Sequence, residues 1–328
     1  MKIKKIITVC IMSVLAMCAS AAPDVTDVVA KQRYPWNGLV DITCKVSGIN
    51  GTGNDHYFSV AAVMPDTGNA QKISHFWVVR NGTNSTDPSV SANGNYRLLW
   101  DASADLGQVV YDNMVMRITV KTLNKVQLWE GGPYWATTNI GADEPWEYGY
   151  YFWWGDTIGY KRVNNAWVAS DGSSSNFSFD SSNTPTYNKS IATLKRESWI
   201  TADSVLASKH DAAHVHWGGE WRMPTDAEFS ALISNCTTTW ITTNGVSGRL
   251  VTGKGAYADR SIFLPAAGFG YNSILSYAGS RGYYWSSTPC SDDSDLARHL
   301  RFSSSDFYGY GYYRYNGRPV RPVRGFAQ

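Results

Sequence analysis

The first part of the chain alternates apolar and polar side chains with the period of a β-strand. In VDITCKVSG, every second residue from Val40 to Val46 is apolar, and successive side chains of a strand point to opposite faces. MVMRITVK, at 114–121, repeats the pattern. Shorter apolar runs (YFSVAAVM, HFWVVR, YRLLWD) lie between clusters of Gly, Asn, Ser and Asp. This spacing of strands and turns predicts an antiparallel sandwich of immunoglobulin type over residues 22–125.

From about residue 126 onward, alternation becomes rare and Trp and Gly become frequent. Thr225 and Glu228 form a capping box ahead of an apolar face, which predicts a helix in PTDAEFSALISNC. A second short helix is predicted over 201–214. The Ser- and Asn-rich stretch 164–188 is expected to form a long surface loop. The remainder predicts short strands and irregular loops, an α+β domain over 126–328.

The N-terminus has the pattern of an export signal. MKIKKIITVCIMSVLAMCASA combines a Lys-rich start, a short apolar core and Ala-Ser-Ala, which predicts a signal peptide over 1–21. A lipoprotein signal ending at Cys18 is disfavoured because Met17 is larger than the residue such signals need. No later apolar run reaches the roughly 18 residues of a membrane helix. We therefore expect an exported protein, secreted or at the cell surface or in the periplasm, without a transmembrane segment.

The amino-acid composition limits the kinds of binding partner that can be expected. The 328 residues carry a net charge of +2 with 17% charged side chains, which gives no electrostatic reason to expect nucleic acid as a partner. The 14 Trp and 20 Tyr residues suit surfaces that make contacts. After the signal, Cys44, Cys236 and Cys290 are an odd, sparse set without C-x-x-C spacing. Neither a disulfide framework nor a cysteine-zinc site is expected.

Five sequence segments, which follow one another in a fixed order in the second half of the chain, carry a family resemblance. They are WATTNIGADEPWEYGYYFWWGDT (135–157), DAAHVHWGGEWRMPTDAEF (211–229), SIFLPAAGFGY (261–271), GYYWSSTP (282–289) and RYNGRPVRPVR (314–324). Together they resemble the Fibrobacter succinogenes major paralogous domain of secreted bacterial proteins, over about 126–326. That resemblance implies a C-type-lectin-like fold, in which most of these residues are scaffold. The expected fold class is an N-terminal all-β immunoglobulin-like sandwich followed by an α+β C-type-lectin-like domain.

Candidate catalytic and metal-binding residues are few. His210 and His214 have the i, i+4 spacing of zinc hydrolases, with His216 nearby, but Asp211 stands where the catalytic Glu is needed. The calcium motifs of sugar-binding C-type lectins do not occur. The formylglycine-generating enzymes, which share a related fold, need two reactive cysteines, and this region offers Cys290 without a neighbour. We predict a protein that is not an enzyme, with no catalytic residue, metal or cofactor. A secreted hydrolase or carbohydrate-active accessory enzyme and a cell-envelope structural protein remain alternatives.

The C-terminal window 286–327 has an unusual composition. Trp, Met, Lys, Gln and Glu make up 45 of the 328 residues, so about six would be expected in this window, which contains none. The window is similar to the variable proteins of diversity-generating retroelements, in which mutagenised adenines of a template turn Asn codons into Tyr, Ser, Gly, Asp and others. Those substitutions cannot produce the five missing types. The resemblance implies a diversified segment, CSDDSDLARHLRFSSSDFYGYGYY, between the fixed segments YYWSS and RYNGRPVRPVR.

The same segment supplies the predicted binding residues. Tyr308 and Tyr310 alternate with Gly309 and Gly311, so an extended run places their rings on one face, together with Tyr312. Tyr, Ser, Gly and Asp are also the residues favoured in binding surfaces. Packing of the rings on one another or on the sandwich is the alternative. The predicted ligand-binding residues are Cys290, Asp292, Asp293, Asp295, Arg298, His299, Arg301, Phe307, Tyr308, Tyr310, Tyr312 and Tyr313, and the expected partner is a protein or glycan at a cell surface.

Overall fold

The computed structural model describes residues 23–33, 37–49, 55–63, 70–107, 114–171, 177–182 and 184–325. The predicted signal peptide, 1–21, lies outside these residues. The α-helices are α1 Ala102–Leu106, α2 Ile191–Arg196, α3 Ala212–Trp217 and α4 Asp226–Asn235, with 3₁₀ turns at Ser208–His210 and Gly255–Tyr257. In the part of the chain that the structure describes, no helix is long and apolar enough to cross a membrane.

Strands dominate the structure and are numbered here in chain order. They are β1 Asp24–Gln32, β2 Leu39–Ser47, β3 His56–Val63, β4 Ala70–Lys72, β5 Phe76–Arg80, β6 Thr83–Ser85, β7 Ser89–Val90, β8 Gly94–Asp101, β9 Val115–Thr122, β10 Lys125–Gln127, β11 Tyr134–Ala136, β12 Tyr160–Val163, β13 Ala166–Ala169, β14 Trp221–Arg222, β15 Cys236–Thr243, β16 Val246–Gly253, β17 Ser261–Pro265, β18 Phe269–Tyr271, β19 Ile274–Ser276, β20 Gly282–Pro289, β21 Leu296–Phe302, β22 Phe307–Tyr313 and β23 Val323–Arg324. The expectation of a β-rich protein is confirmed.

The strands up to β9 form two antiparallel sheets that share one apolar core. One sheet has the order β1-β2-β8-β5-β6, and in the other β3 pairs with β4, β7 and β9. The predicted apolar face of β2 is confirmed, since its alternate residues from Val40 to Val46 are buried. Ile118 and Val120 of β9 enter the same core. The period-2 pattern therefore identified the buried side of each strand correctly.

The remaining strands form several smaller antiparallel sheets. Their orders are β10-β11-β23-β14, β15-β16-β17 and β20-β21-β22, and β12-β13 and β18-β19 are hairpins. The predicted helix α4 is confirmed with its capping box, in which the Thr225 side chain accepts from the Glu228 N–H and the Glu228 carboxylate accepts from the Thr225 N–H. Arg222 holds the same carboxylate through two hydrogen bonds of 2.5 and 2.7 Å.

The helix predicted over 201–214 is wrong. The backbone of Asp211 is extended, with φ −91° and ψ 111°, so it separates the 3₁₀ turn that ends at His210 from α3. The buried Asp211 carboxylate instead accepts from the Ala213 and His214 N–H groups and so caps α3. A capping carboxylate at this point starts a new helix instead of continuing an old one.

The prediction of a surface loop over 164–188 is only partly right. β12 and β13 form a hairpin through its first residues, and the ring of Phe179 is completely buried against Trp153 and Trp167. Thr186 is also buried and donates to the Trp154 carbonyl. The Ser-rich composition hid these anchors, because a few aromatic residues are enough to fasten a polar segment to the core.

Polar contacts join the N-terminal sheets to the rest of the chain. Asp55 accepts from Lys125 Nζ at 2.6 Å and pairs with Arg324. The Asp87 carboxylate accepts from the Gly219 N–H at 3.1 Å. Burial by itself would raise the pKa of Asp87, but hydrogen bonds from the Ser89 and Gly219 backbone lower it overall. These contacts fix the N-terminal sheets against the loop that follows α3.

The loop contact predicts the effect of enlarging Gly218. Its φ is +69°, and a Cβ there would overlap the Asp87 carboxylate. The control is Gly107, which has nearly the same backbone (φ +70° and ψ −164°, against φ +69° and ψ −164° at Gly218) and open space around its position. We expect Gly107→Ala to cost about 1–3 kcal/mol through backbone strain and Gly218→Ala about 1–3 kcal/mol more through overpacking, measured by urea unfolding. Equal costs would contradict the Asp87 contact.

Candidate functional site

The tyrosine-rich run forms β22, the edge strand of the β20-β21-β22 sheet. Tyr308, Tyr310 and Tyr312 lie opposite Arg301, His299 and Ala297 of β21, and therefore on one face of the sheet. The rings of Tyr308, Tyr310, Tyr312 and Tyr313 are 38–55% exposed. The expectation that alternate tyrosines share a face is met, and the rings lie at the surface instead of in the core.

The glycines of this run face the other side of the strand. A Cβ on Gly309 would lie 3.5 Å from Asp226 Oδ1, at the start of α4, and a Cβ on Gly311 would lie 2.6 Å from Cys290 Sγ. The contact at Gly309 is an ordinary van der Waals distance, but at Gly311 a side chain would overlap the sulfur and push β22 away from Cys290. The alternation of Gly and Tyr thus allows close packing behind the strand and large rings in front of it.

This packing predicts a compensating pair of substitutions. Gly311→Ala forces a methyl group against Cys290 Sγ, so we expect a loss of about 1–3 kcal/mol in the free energy of unfolding. Cys290→Ala removes the sulfur and leaves room for that methyl group. In a double-mutant cycle measured by urea unfolding, the double variant should be more stable than the sum of the single losses predicts. Additive losses would show that the two positions do not touch.

The aromatic surface extends beyond the predicted residues. Tyr313 stacks on Tyr315 with ring centroids 4.9 Å apart, and Tyr315 in turn lies 6.3 Å from Tyr271 and 5.3 Å from Tyr187. Phe269 extends the aromatic contacts in another direction. Its ring centroid lies 6.4 Å from that of Tyr312 and 6.0 Å from that of Tyr277. We define the tyrosine surface as Tyr308, Tyr310, Tyr312 and Tyr313 together with Tyr187, Tyr271, Tyr277 and Tyr315.

Sequence reasoning missed Tyr187, Tyr271 and Tyr277 because they come from other parts of the chain, and it assigned Tyr315 to the fixed segment RYNGRPVRPVR. Tyr271 and Tyr277 belong to the β18-β19 hairpin and its end, and Tyr187 precedes α2. One available signal was the segment FGYNSILSY, which places tyrosines and an exposed isoleucine, Ile274, around a turn. Exposed aromatic residues at a hairpin are a recognisable mark of a contact surface.

Two of the predicted binding residues are buried. Cys290 is enclosed behind Gly311, and burial raises the pKa of its thiol. His299 lies beneath the tyrosine surface and is 1% exposed. The structure therefore places neither side chain at the surface. Composition could not distinguish them from their exposed neighbours, since burial depends on strand pairing and on what covers each face.

Two further predicted residues lie on the opposite face of the sheet. Arg298 pairs with Gly311 across the strands, and its Nε is 3.7 Å from Asp226 Oδ2. Phe307 pairs with Phe302 and packs on it, with ring centroids 5.8 Å apart. Both residues therefore support β22 from behind instead of joining the tyrosine face.

The other predicted residues lie at the two ends of the tyrosine surface. Arg301 contacts the Tyr308 hydroxyl and forms an ion pair with Asp306 at 3.4 Å. At the other end, Asp292 and Asp293 are exposed, and Asp295 is half-buried. Burial raises the pKa of Tyr187, and the nearby carboxylate of Asp295 adds to that rise. The surface therefore has an arginine at one end and carboxylates at the other.

The segment after Tyr313 forms a buried frame. Residues 316–324 are all buried, as is Arg314. Arg321 donates to Asn139 Oδ1 at 2.8 Å and to the carbonyls of Ala136, Thr137 and Phe263 at 3.1, 2.7 and 3.0 Å. Burial lowers the pKa of its guanidinium to about 10. One side chain thus joins the segment after β11 to β17 and to the C-terminal segment.

The contrast between frame and surface is testable by unfolding. Arg321→Ala leaves three buried acceptors and one partly buried acceptor without their donor, so we expect a loss of about 3–5 kcal/mol in the free energy of unfolding. Tyr310→Ala removes an exposed ring and should change that free energy by no more than about 0.5 kcal/mol. Urea unfolding of both variants provides the measurement. A large loss for Tyr310→Ala would identify its ring as part of the core.

The three histidines of the hydrolase alternative do not converge. His210 stacks on Trp199 with ring centroids 3.9 Å apart. His216 Nε2 donates to the Thr157 carbonyl at 2.9 Å, and its ring packs on Phe152. Among the residues that the structure describes, no group of three or more His, Cys, Asp and Glu side chains is placed to hold a metal ion.

A different histidine–carboxylate pair was missed in the N-terminal sheets. His75 Nδ1 lies 2.7 Å from Oδ1 of Asp105, whose carboxylate is buried and also accepts from Trp100 Nε1 at 2.8 Å. His75 lines a cleft of about 380 Å³ together with residues of both parts of the chain, including Trp77 and His216. Thirty residues separate the pair in sequence, so no local motif could indicate it.

Comparison with known proteins gives one match. The model of a domain of unknown function, DUF8237, matches residues 253–323, which is less than a quarter of the chain. The matched stretch includes the whole β20-β21-β22 sheet, which carries the tyrosine run. No curated protein matches the chain, and no solved structure does.

Proposed function

We propose that the protein is an exported, non-enzymatic binding protein that contacts a protein or glycan through the tyrosine surface. The observation that carries this proposal is the exposure of Tyr308, Tyr310, Tyr312 and Tyr313 on one edge strand, ahead of a completely buried frame. Large rings left exposed together on a rigid support favour an interaction surface. Tyrosine suits that role because it offers a large contact area with few rotatable bonds and a hydroxyl group.

The proposed domain layout follows the strand pattern in the N-terminal part of the chain and the family resemblance in the rest. The N-terminal sheets, which share one core, form an immunoglobulin-like sandwich over 22–125, and the rest of the chain forms a C-type-lectin-like domain. Support comes from the residues of the shared motifs, because Trp217, Trp221 and Trp285 are completely or almost completely buried. They act as scaffold for the loops and strands that carry the tyrosine surface. The signal peptide supports export to the cell surface or beyond.

We further propose that the exposed residues of β22 are diversified by a retroelement. The exposed tyrosines fall in the window that lacks Trp, Met, Lys, Gln and Glu, and the buried frame follows directly. Sequencing the DNA around the gene tests this proposal. A reverse transcriptase gene and a near-identical repeat that differs at adenines are expected, and the absence of both would overturn it.

The binding proposal predicts the effect of removing the rings. The full-length mature chain is screened on arrays of glycans and of surface proteins, and each hit is measured by surface plasmon resonance. A variant with Ala at Tyr308, Tyr310, Tyr312 and Tyr313 should bind at least about a hundredfold more weakly, because aromatic anchors dominate interface energies.

A matched control separates this effect from a general loss of tyrosine. Tyr134→Ala removes a ring that is 40% exposed but belongs to β11, outside the tyrosine surface, and should leave the affinity unchanged. Unfolding curves of both variants show whether they remain folded. If the array identifies no partner, or if the fourfold variant binds a partner as tightly as the unchanged protein, the tyrosine surface is not the binding site.

A further inference from the structure

The floor of the tyrosine surface contains a buried cation. The guanidinium of Arg318 lies 4.4 Å from the ring centroid of Trp285, 5.1 Å from that of Tyr312, 5.2 Å from that of Tyr283 and 5.7 Å from that of Phe269. The residue is 1% exposed. Its Nε and Nη1 atoms have no hydrogen-bond partner among the residues that the structure describes.

The neighbouring buried arginines have more hydrogen bonds. Arg321 donates to four acceptors, and Arg314 donates to the carbonyls of Leu296, Thr186 and Lys189, although its Nη2 has no partner among the described residues. Arg318 has aromatic rings around it instead. The negative faces of the rings attract a cation, but they offer no hydrogen-bond acceptor to the N–H groups of the guanidinium. Burial accordingly lowers the pKa of Arg318 to about 9. Leaving Nε and Nη1 of a buried cation without hydrogen bonds is costly, so an external acceptor would stabilise Arg318.

His299 lies beside this cation and has the same deficit. Its ring is 6.3 Å from the rings of Tyr310 and Tyr312, and neither of its nitrogens has a hydrogen-bond partner of ordinary geometry. Burial lowers the pKa of His299 well below its usual value, and the charge of Arg318 lowers it further; the Tyr310 backbone acts in the opposite direction. A neutral imidazole can donate one hydrogen bond to a ligand that also binds the guanidinium.

Exposed tyrosine rings cover both Arg318 and His299. Tyr310 and Tyr312 are 55% and 40% exposed and belong to an edge strand, so their side chains can rotate towards solvent without displacing the frame. Rotation of the Tyr312 ring would expose the guanidinium between Phe269 and Tyr283. A planar carboxylate matches a guanidinium fork through two parallel hydrogen bonds.

We propose that Arg318 and His299 form a carboxylate-binding subsite beneath Tyr310 and Tyr312, and that it receives an aspartate or glutamate side chain of a protein partner. The inference rests on the binding function proposed for the tyrosine surface and specifies its ligand. A protein is favoured over a glycan because the tyrosine rings lie in two neighbouring groups, Tyr308 with Tyr310 and Tyr312 with Tyr313, Tyr315 and Tyr187, which the buried ring of His299 joins. Such a broad set of rings suits an extended contact with a protein.

The test uses small probes and needs no identified partner. The full mature chain, labelled at histidine, is titrated with the amide of N-acetyl-glutamate and, as the matched neutral probe, with that of N-acetyl-glutamine. We expect a saturable change in the NMR signals of the His299 ring with the glutamate probe and none with the glutamine probe. Equal responses to the two probes, or no response to either, overturn the proposal.

Variants at Arg318 show whether the response to the glutamate probe depends on the paired N–H donors of the guanidinium. Arg318→Lys keeps the charge but loses the paired donors, so glutamate should bind at least about tenfold more weakly. Tyr312→Ala keeps Arg318 and removes part of the cover, so glutamate should bind more tightly. If Arg318→Lys leaves the response to glutamate unchanged, the proposal is contradicted. This conclusion holds whether or not a second variant, Arg318→Met, folds.

A glycan arm tests the choice of partner. Glucuronate and glucose are titrated in the same way, and glucuronate should bind no better than the glutamate probe. Markedly tighter binding of glucuronate would show that the subsite binds an acidic glycan, and it would overturn the proposal of a protein partner. The subsite and the proposed function fail separately: a glutamate response can persist where the array finds no partner, and a partner can bind through the tyrosines where glutamate gives no response.

Discussion

The hydrogen bonds of Arg321 are the interaction on which the tyrosine surface depends. One guanidinium joins the ends of segments that lie far apart in sequence, at Asn139, at Phe263 and in the C-terminal stretch itself. Short strands with little regular pairing could not hold these segments together, since each small sheet has few ladder bonds. The arginine supplies directional donors to backbone carbonyls that would otherwise lie buried and unpaired. A rigid base for β22 is the result.

That base explains how residues 307–324 can serve two purposes. Residues 307–313 form an edge strand, and residues 314–324 are mostly buried. The change occurs within one residue, because Arg314 turns inward and donates to the Leu296, Thr186 and Lys189 carbonyls. Substitutions on the tyrosine face therefore alter contact chemistry without removing any of the bonds that hold the frame. Such a separation of stability from recognition is what a surface open to frequent change requires.

The sequence predicted what local periodicity determines. The buried faces of β2 and β9 and the capping box of α4 follow from residues close together in the chain, and the structure contains them. The break at Asp211, the burial of Phe179 and the approach of Tyr187 to Tyr315 depend on partners far away in sequence. No pattern of apolar and polar residues records such partners. For the same reason, the alternation in β22 identified the tyrosine face but could not show that His299 lies buried beneath it.

The position of Arg318 connects the frame to recognition. It belongs to the buried segment, yet its guanidinium lies against the ring of Tyr312, on the side of the sheet that carries Tyr308, Tyr310 and Tyr312. If the tyrosines above it vary while the frame is retained, each version of the surface keeps the same cation beneath different rings. Attraction between unit charges persists over several ångströms in a partly buried site, so the identity of the rings would tune fit while the cation sets a common preference for carboxylates. A diversified surface of this design samples shapes around one fixed electrostatic anchor instead of sampling unrelated chemistries.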